Sequence, residues 1–133
     1  MANIEILRSI DIEDEVRRAL KDYFTIYCRP LPSKFKTPSL LVSRVGGTDE
    51  SKIDTFDIVL DSRATSEADA DELLRNAIGV LKKVAQLQTT ALRHVDINSI
   101  GSWGEDPVRP DLSMCSARLR LVVHQELITI KSK

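Results

Sequence analysis

The spacing of apolar residues near the start of the chain predicts an amphipathic helix. Apolar side chains recur there at intervals of three and four residues, which places them on one stripe of a helix. Asp11 precedes the stripe and is suited to cap the helix, and acidic residues in the first turn interact favourably with the helix dipole. The predicted stripe consists of Ile12, Val16, Ala19, Leu20 and Tyr23.

A second, longer helix is predicted after the segment "TSEADADELL". Ser66 is a suitable N-cap, and Asp69 stands three residues later in the capping-box position. The apolar positions that follow form one broad face with helical periodicity. This face consists of Ala70, Leu73, Leu74, Ala77, Ile78, Leu81 and Val84.

Between and after the helices, the hydrophobic pattern changes to the period of two that is typical of strands. In one strand Phe56, Ile58 and Leu60 alternate with more polar positions, and in "SARLRLVVHQEL" every second residue is apolar, starting at Ala117. Shorter strands are predicted at residues 25–28, 40–45 and 92–100. Two helices and about four to five strands joined mostly by hairpins predict an α+β fold: a single domain with both helices packed on an antiparallel sheet.

Three segments are predicted to lie outside the sheet. Arg29–Ser39 contains three prolines, which prevent continuous ladder hydrogen bonding, so we expect an extended surface arm or loop. Residues 101–111, "GSWGEDPVRPD", are rich in Gly, Pro and Asp and are expected to form a surface loop. Residues 124–133 are expected to be a polar C-terminal tail.

The glycine pair Gly46-Gly47 has two interpretations. A phosphate-binding loop needs a Gly-Lys-Ser/Thr sequence and a helix directly after it, whereas a strand follows here. Glycines also supply the positive φ angles found at the ends of hairpin turns. The pattern therefore favours a hairpin with the charged segment "TDESK" at its tip.

The residues that could carry out catalysis or bind metal have no recognisable spacing. Cys28 and Cys115 lie far apart in apolar surroundings, and a thiol nucleophile would need one of the two histidines, His94 or His124, as its base. We interpret both thiols as inert core residues. A metal site formed by Asp49, Glu50 and Asp54 would lack any known loop spacing, and no cofactor is expected.

Composition excludes several further classes. A formal net charge of −1 gives no basic excess for wrapping nucleic acid. No apolar run reaches the length of a membrane span, and the first residues lack the pattern of a secretion signal, so we expect folding in the cytosol.

The order of these features resembles the tail terminator, or tail-completion, proteins of long-tailed bacteriophages and prophages. The resemblance covers about residues 10–125. Its parts, in order, are the helix "DIEDEVRRAL", a Pro-rich stretch, "PSLLVSRVGG" ending in two glycines, "DTFDIVLDSRATS" running into a helix, the loop "DPVRPD" and the strand "SARLRLVV".

The resemblance implies a structural virion protein with no catalytic activity. Members of the family form a ring, usually a hexamer, that caps the head-proximal end of the tail tube, stops its polymerisation and joins the head connector. The implied partners are further copies of the chain, the tail tube protein and the head-completion or connector protein, while DNA passes through the channel without specific binding. A head-completion (stopper) protein, a small thiol-dependent enzyme and a regulatory binding module are the alternatives.

A closed ring needs two different patches on each subunit. Residues in the Pro-rich arm and in the two predicted loops are the candidates for these patches. Trp103 has two equally supported interpretations, an interface anchor or a ring lying over the edge of the core. The candidate interface residues are Arg29, Phe35, Gly46, Gly47, Asp49, Glu50, Lys52, Trp103, Arg109 and Asp111.

Overall fold

The computed structural model of the protein describes residues 2–50, 53–107 and 109–133, without the side chains of residues 49, 50, 102 and 103. This part of the chain contains two helices and seven strands. In chain order they are β1 (Ile4–Arg8), α1 (Ile12–Leu20), β2 (Ile26–Cys28), β3 (Ser39–Glu50), β4 (Ile53–Ala64), α2 (Glu67–Leu87), β5 (Leu92–Glu105), β6 (Ser113–His124) and β7 (Glu126–Ile130).

The strands form two sheets. The main sheet has the order β2-β3-β4-β6-β5, and all of its neighbours are antiparallel except β2 and β3, which run parallel. β1 and β7 form a separate antiparallel sheet of two strands. The predicted α+β class is confirmed. The predicted number of strands was too low, because β1 and β7 were not recognised as a pair.

Both helices pack against one face of the main sheet and form the core with it. The alternation predicted in β4 and β6 is confirmed, because Phe56, Ile58 and Leu60 point into this core while the residues between them do not. From β6 the core takes Cys115, Ala117, Leu119, Leu121 and Val123, and from the helices Ile12, Val16, Leu20, Ala70, Leu74, Ala77, Ile78, Leu81 and Ala85.

The two predicted helix starts are confirmed by their caps. The Asp11 carboxylate accepts a hydrogen bond from the Asp14 backbone N–H at 3.2 Å, and the Ser66 hydroxyl accepts one from the Asp69 N–H at 3.1 Å. Tyr23 was wrongly assigned to the apolar stripe. It lies beyond the end of α1 and its side chain is 69% exposed.

Two segments predicted to be irregular contain strands. Residues 101–105 continue β5, because their backbone pairs with β6 as far as Glu105 opposite Ser113, and only residues 106–112 connect the two strands. The expected polar tail contains β7, whose partner β1 lies at the other end of the chain. A pairing between segments so distant in sequence cannot be identified from either segment alone.

The β3–β4 hairpin is present, but the glycine pair does not form its turn. Gly46 and Gly47 lie within β3, opposite Asp57 and Phe56, next to a register shift between Arg44 and Gly46. A Cβ atom on Gly47 would lie 2.6 Å from the Thr55 carbonyl oxygen and 2.9 Å from the Phe56 ring. Glycine is therefore required by close approach of the paired strand.

Substitution of Gly47 with alanine is expected to lower the free energy of unfolding by about 1–3 kcal/mol, because the backbone opposite must shift to admit the methyl group. Gly79 offers a control within α2, where an added Cβ has no neighbour within 4 Å. Gly79→Ala should stabilise the protein by up to about 1 kcal/mol through helix propensity. Urea unfolding of both variants checks the prediction, and a neutral Gly47→Ala would contradict the close approach.

Candidate interaction surfaces

Three of the candidate interface residues meet where the Pro-rich arm contacts the β5–β6 connection. The guanidinium groups of Arg63 and Arg109 both lie over the Phe35 ring, 5.8 and 5.7 Å from its centroid. Arg109 also pairs with Asp111 at 2.8 Å, and the hydrogen bond with that carboxylate raises the pKa of Arg109. We call this group, together with Asp106, the arm–loop cluster.

Within the arm–loop cluster, Arg63 and Asp106 form a buried ion pair. Arg63 Nε donates to the Asp106 carboxylate at 2.8 Å, and the two side chains are only 10% and 1% exposed. The backbone of the connection closes on itself, because Asp106 N–H donates to the Leu112 carbonyl and Leu112 N–H donates to that of Arg109. The alternation of apolar and polar residues in the sequence gives no sign of this pair, so neither Arg63 nor Asp106 was among the predicted site residues.

Arg29 lies elsewhere, at the start of the arm and beside α1. Its guanidinium donates to Glu13 Oε2 at 2.6 Å, and its backbone N–H donates to Glu13 Oε1 at 3.3 Å. The Arg44 backbone N–H donates to the same carboxylate at 3.1 Å, so Glu13 connects α1, the arm and β3. Burial raises the pKa of Glu13, but the hydrogen bonds from Arg29 and Arg44 outweigh it and the pKa is lowered.

The lowered pKa of Glu13 gives a pH dependence with a definite sign. The ionised carboxylate is bound more tightly in the folded state, so its contribution is fully present above the ordinary glutamate pKa of about 4.3 and is lost as the pH falls through the lowered value. Glu13→Gln should cost about 1–2 kcal/mol at pH 7 and progressively less below about pH 4. Chemical denaturation from pH 7 to 3 checks this. Glu72→Gln, at an exposed position of α2, is the control. A loss of stability in Glu13→Gln that does not change with pH would contradict the lowered pKa of Glu13.

The backbone of Trp103 pairs with Cys115, at the same end of the main sheet as the arm–loop cluster. Four further candidates on β3, Gly46, Gly47, Asp49 and Glu50, lie at the opposite end, near the tip of the β3–β4 hairpin. Gly46 and Gly47 are on this end of β3, while Lys52 and the side chains of Asp49, Glu50 and Trp103 lie outside the described residues. Nearby, the fully buried Asp54 accepts a hydrogen bond from Gln125 Nε2 at 2.9 Å, which connects β4 to the segment between β6 and β7. Ile53 and Arg63 are ten positions apart on β4, which separates the two ends by roughly 33 Å.

The face of the main sheet opposite the helices is covered by no described helix or strand. This face carries both polar and apolar side chains. Two of them form an ion pair between neighbouring strands, from Arg120 Nε to the Asp57 carboxylate at 3.0 Å. Two rows further along this face the Ser116 hydroxyl donates to Asp61, and at the edge His94 contacts Asp96 at 2.7 Å. We call this surface the open face. It offers cross-strand polar pairs to a partner, and Thr55, Asp57, Arg120 and Val122 help to line a half-open depression of about 350 Å³ on it.

The two thiols are separated from both histidines. Cys115 is fully buried on the helix-covered side of β6, whereas His124 is exposed on the open face. Burial raises the pKa of both thiols, and Cys28 donates to the Glu13 carbonyl at 3.5 Å. Within the described residues, no three His, Cys, Asp or Glu side chains lie close enough together to hold a metal ion.

Comparisons with known proteins leave the physical arrangement of these surfaces as the basis for assigning a function. No protein-family profile matches the chain, and a search of curated proteins finds no significant match. No helix among the described residues is long and apolar enough to cross a membrane.

Proposed function

We propose that this protein is a phage tail terminator, a ring-forming structural protein that caps the head-proximal end of the tail tube. Its subunits would assemble into a hexamer, stop the addition of tube protein and provide the joint to the head connector. The sequence resemblance described above motivates the proposal, and the α+β fold with two helices on one face of a sheet is compatible with it.

The observation that carries the proposal is the separation of the candidate interface residues into two different groups. The arm–loop cluster and the hairpin end lie at opposite ends of β4, roughly 33 Å apart. A closed ring is built from heterologous contacts, in which one patch of a subunit meets a different patch of the next. Two separate groups of residues at opposite ends of a continuous sheet meet that requirement.

The charge of the chain supports a ring through which DNA passes. A net charge of −1 provides no general attraction to phosphates, and on the open face acidic groups pair with basic ones, as in Asp57 and Arg120. Polyanion binding grows with the number of unpaired cations that meet phosphates. A channel lined by such a subunit would let DNA slide without holding it.

The solution mass of the purified protein, with and without the tube protein of the same phage or prophage, tests this function. We expect a monomer that converts to a species of six times 14.9 kDa, and binding of that species to tube protein in preference to the head connector. Preference for the connector would indicate a head-completion protein. A dimer that stays unchanged over a wide concentration range would contradict the ring.

Variants of the arm–loop cluster make the test more specific. Arg109→Ala should leave the subunit folded and weaken ring formation or tube capping by about 1–3 kcal/mol, because aromatic and arginine side chains on a rigid loop lose little entropy on docking. Tyr23→Ala, at an exposed aromatic position beyond α1, is the control. Equal assembly of both variants would move the interface away from the cluster.

A further inference from the structure

The two ends of the described chain form a ribbon that stands apart from the main sheet. β1 and β7 pair along their whole length, from Ile4 opposite Ile130 to Arg8 opposite Glu126. Arg8 and Glu126 form an ion pair at the base of the ribbon. We call β1 and β7 together the terminal ribbon. No other described helix or strand packs extensively on it.

One face of the terminal ribbon is a strip of isoleucine. Directly opposed residues share a face of an antiparallel pair, and so do residues two apart along each strand. Ile4, Ile130, Ile6 and Ile128 therefore lie on the same side. Ile4 is 59% and Ile130 is 46% exposed, while Ile6 and Ile128 are half-buried, so the outer end of this strip is an uncovered apolar surface. The opposite face carries a second apolar pair, Leu7 and Leu127, flanked by Glu5 and Thr129.

The ribbon needs a cover that its own chain does not supply. A two-stranded sheet with five residues in each strand is marginally stable in water, and a contiguous apolar strip marks an interaction surface. The ribbon is joined to the rest of the chain by two short connections. A single residue, Gln125, links β6 to β7, and three residues, 9–11, link β1 to α1. Gln125 is held by Asp54 and Ile10 is buried, so both connections are anchored to the body.

The chain carries a matching apolar surface elsewhere, at the edge of the main sheet. β5 is the outermost strand, and Ile97 and Ile100 on it are 38% and 45% exposed. They pair with the buried Leu119 and Ala117, which places them on the helix-covered side, and their exposure shows that the helices cover them only in part. Three register irregularities along β5 disfavour simple extension of the sheet by another strand, so side-chain packing is the available mode of contact.

The ribbon of one chain cannot cover this edge in the same chain. The ribbon begins after His124, whereas Ile97 and Ile100 pair with residues five and seven positions before that point. At about 3.4 Å per residue they lie roughly 17–24 Å back along β6, and one linking residue is too short to reverse the ribbon over that distance. No extensive contact joins the ribbon to β5 within the described chain, so a ribbon that covers the β5 edge has to come from another molecule.

We propose that the isoleucine face of the terminal ribbon packs on Ile97 and Ile100 at the β5 edge of a second copy of the chain. Ribbon and edge are different surfaces, so the contact is heterologous and propagates around a ring. The small size of the ribbon favours this over pairing of two ribbons. A face about 17 Å long and two strands wide offers a few hundred Å², whereas a stable dimer needs about 800 Å² from each partner. In a ring each subunit makes the contact twice. Closure of the ring rests on the proposed function, but the pairing of the two surfaces does not.

Chemical cross-linking between single-cysteine proteins tests the contact. In a Cys28→Ser, Cys115→Ala background that retains the native circular dichroism spectrum, a tagged Ile130→Cys protein is mixed with an untagged Ile100→Cys protein and treated with a short bismaleimide. Leu127→Cys is the matched control, since it is exposed on the same strand but on the other face. We expect at least fivefold more tagged–untagged product with Ile130→Cys than with Leu127→Cys.

The possible outcomes separate this inference from the proposed function. Predominant Ile130→Cys homodimers would show that ribbons pair with each other, and equal yields from both faces would show no specific contact; either overturns the inference. Ile130→Glu should weaken self-association at least tenfold relative to Thr129→Glu, by analytical ultracentrifugation, and equal association would also overturn it. A hexamer that caps tubes without the cross-link leaves the tail-terminator function intact and removes the ribbon contact. A cross-link in a protein that fails to cap tubes would support the ribbon contact and contradict the tail-terminator function.

Discussion

Replacing Asp106 with asparagine is expected to lower the free energy of unfolding by about 3–5 kcal/mol. The substitution preserves the size of the side chain but removes the charge opposite Arg63, and both groups are almost fully buried. An uncompensated guanidinium would then remain away from water, and desolvation of a lone charge is far more costly than the net value of the pair. Because Arg63 also lies over Phe35, the arm should loosen together with the connection.

A matched exposed pair provides the control for Asp106. Arg109 and Asp111 are separated by the same 2.8 Å, but both side chains are largely in solvent. Asp111→Asn should therefore cost no more than about 1 kcal/mol. Urea denaturation of the two variants measures the difference. A loss below about 1 kcal/mol for Asp106→Asn would mean that the buried pair does not hold the connection in place.

Truncation of Phe56 to alanine is expected to cost about 3–5 kcal/mol. The ring is 2% exposed, packs in the core beneath α1 and α2, and lies against Gly47 on the neighbouring strand. The Arg44 guanidinium also stands over it at 4.7 Å, but that contact is with an exposed side chain, so Arg44→Ala should cost no more than about 1 kcal/mol.

The close approach of Gly47 to Phe56 makes the two positions dependent on each other. A methyl group on Gly47 is obstructed partly by the Phe56 ring, and removal of the ring opens that space. The double variant Gly47→Ala, Phe56→Ala should therefore be destabilised by at least about 0.5 kcal/mol less than the sum of the single variants. Strict additivity in thermal or urea unfolding would show that the obstruction comes from the Thr55 carbonyl alone.

The parts of the fold that follow from local chemistry could be predicted from the sequence. Asp11 and Ser66 cap their helices through hydrogen bonds within three residues, and such short-range contacts are visible as a residue pattern. The alternation around Phe56 likewise depends only on which neighbours are apolar. Tyr23 was misassigned because the spacing of apolar residues alone could not indicate that the helix ends at Leu20.

The parts that depend on distant pairing could not be predicted in the same way. β1 and β7 are more than 110 residues apart in sequence, and each alone is too short to identify as a strand with confidence against polar flanks. The alternation of isoleucine in "IEI" and "ITI" was the available signal. Gly46 and Gly47 were wrongly predicted to form the turn. The register irregularity beside them in β3 arises only from pairing with β4, so the sequence of β3 alone could not reveal it.

The candidate interface residues were identified by type, and the structure separates them in space. Phe35, Arg109 and Asp111 lie together, whereas Arg29 binds Glu13 on α1 and serves to hold the arm. The buried partners Arg63 and Asp106 were missed, since a charged residue next to a turn is normally exposed. Burial of charge is decided by tertiary contacts that no window of sequence contains.

Elongation of tail tubes in the presence of the purified protein tests the proposed function most directly. Short tubes are incubated with the protein, fresh tube protein is added, and lengths are measured by negative-stain electron microscopy, with Tyr23→Ala as a folded, competent control and untreated tubes as the reference. We expect a ring at one end of each tube and no further growth from that end. Growth from both ends at the rate of untreated tubes, with the protein present in excess and correctly folded, would contradict it.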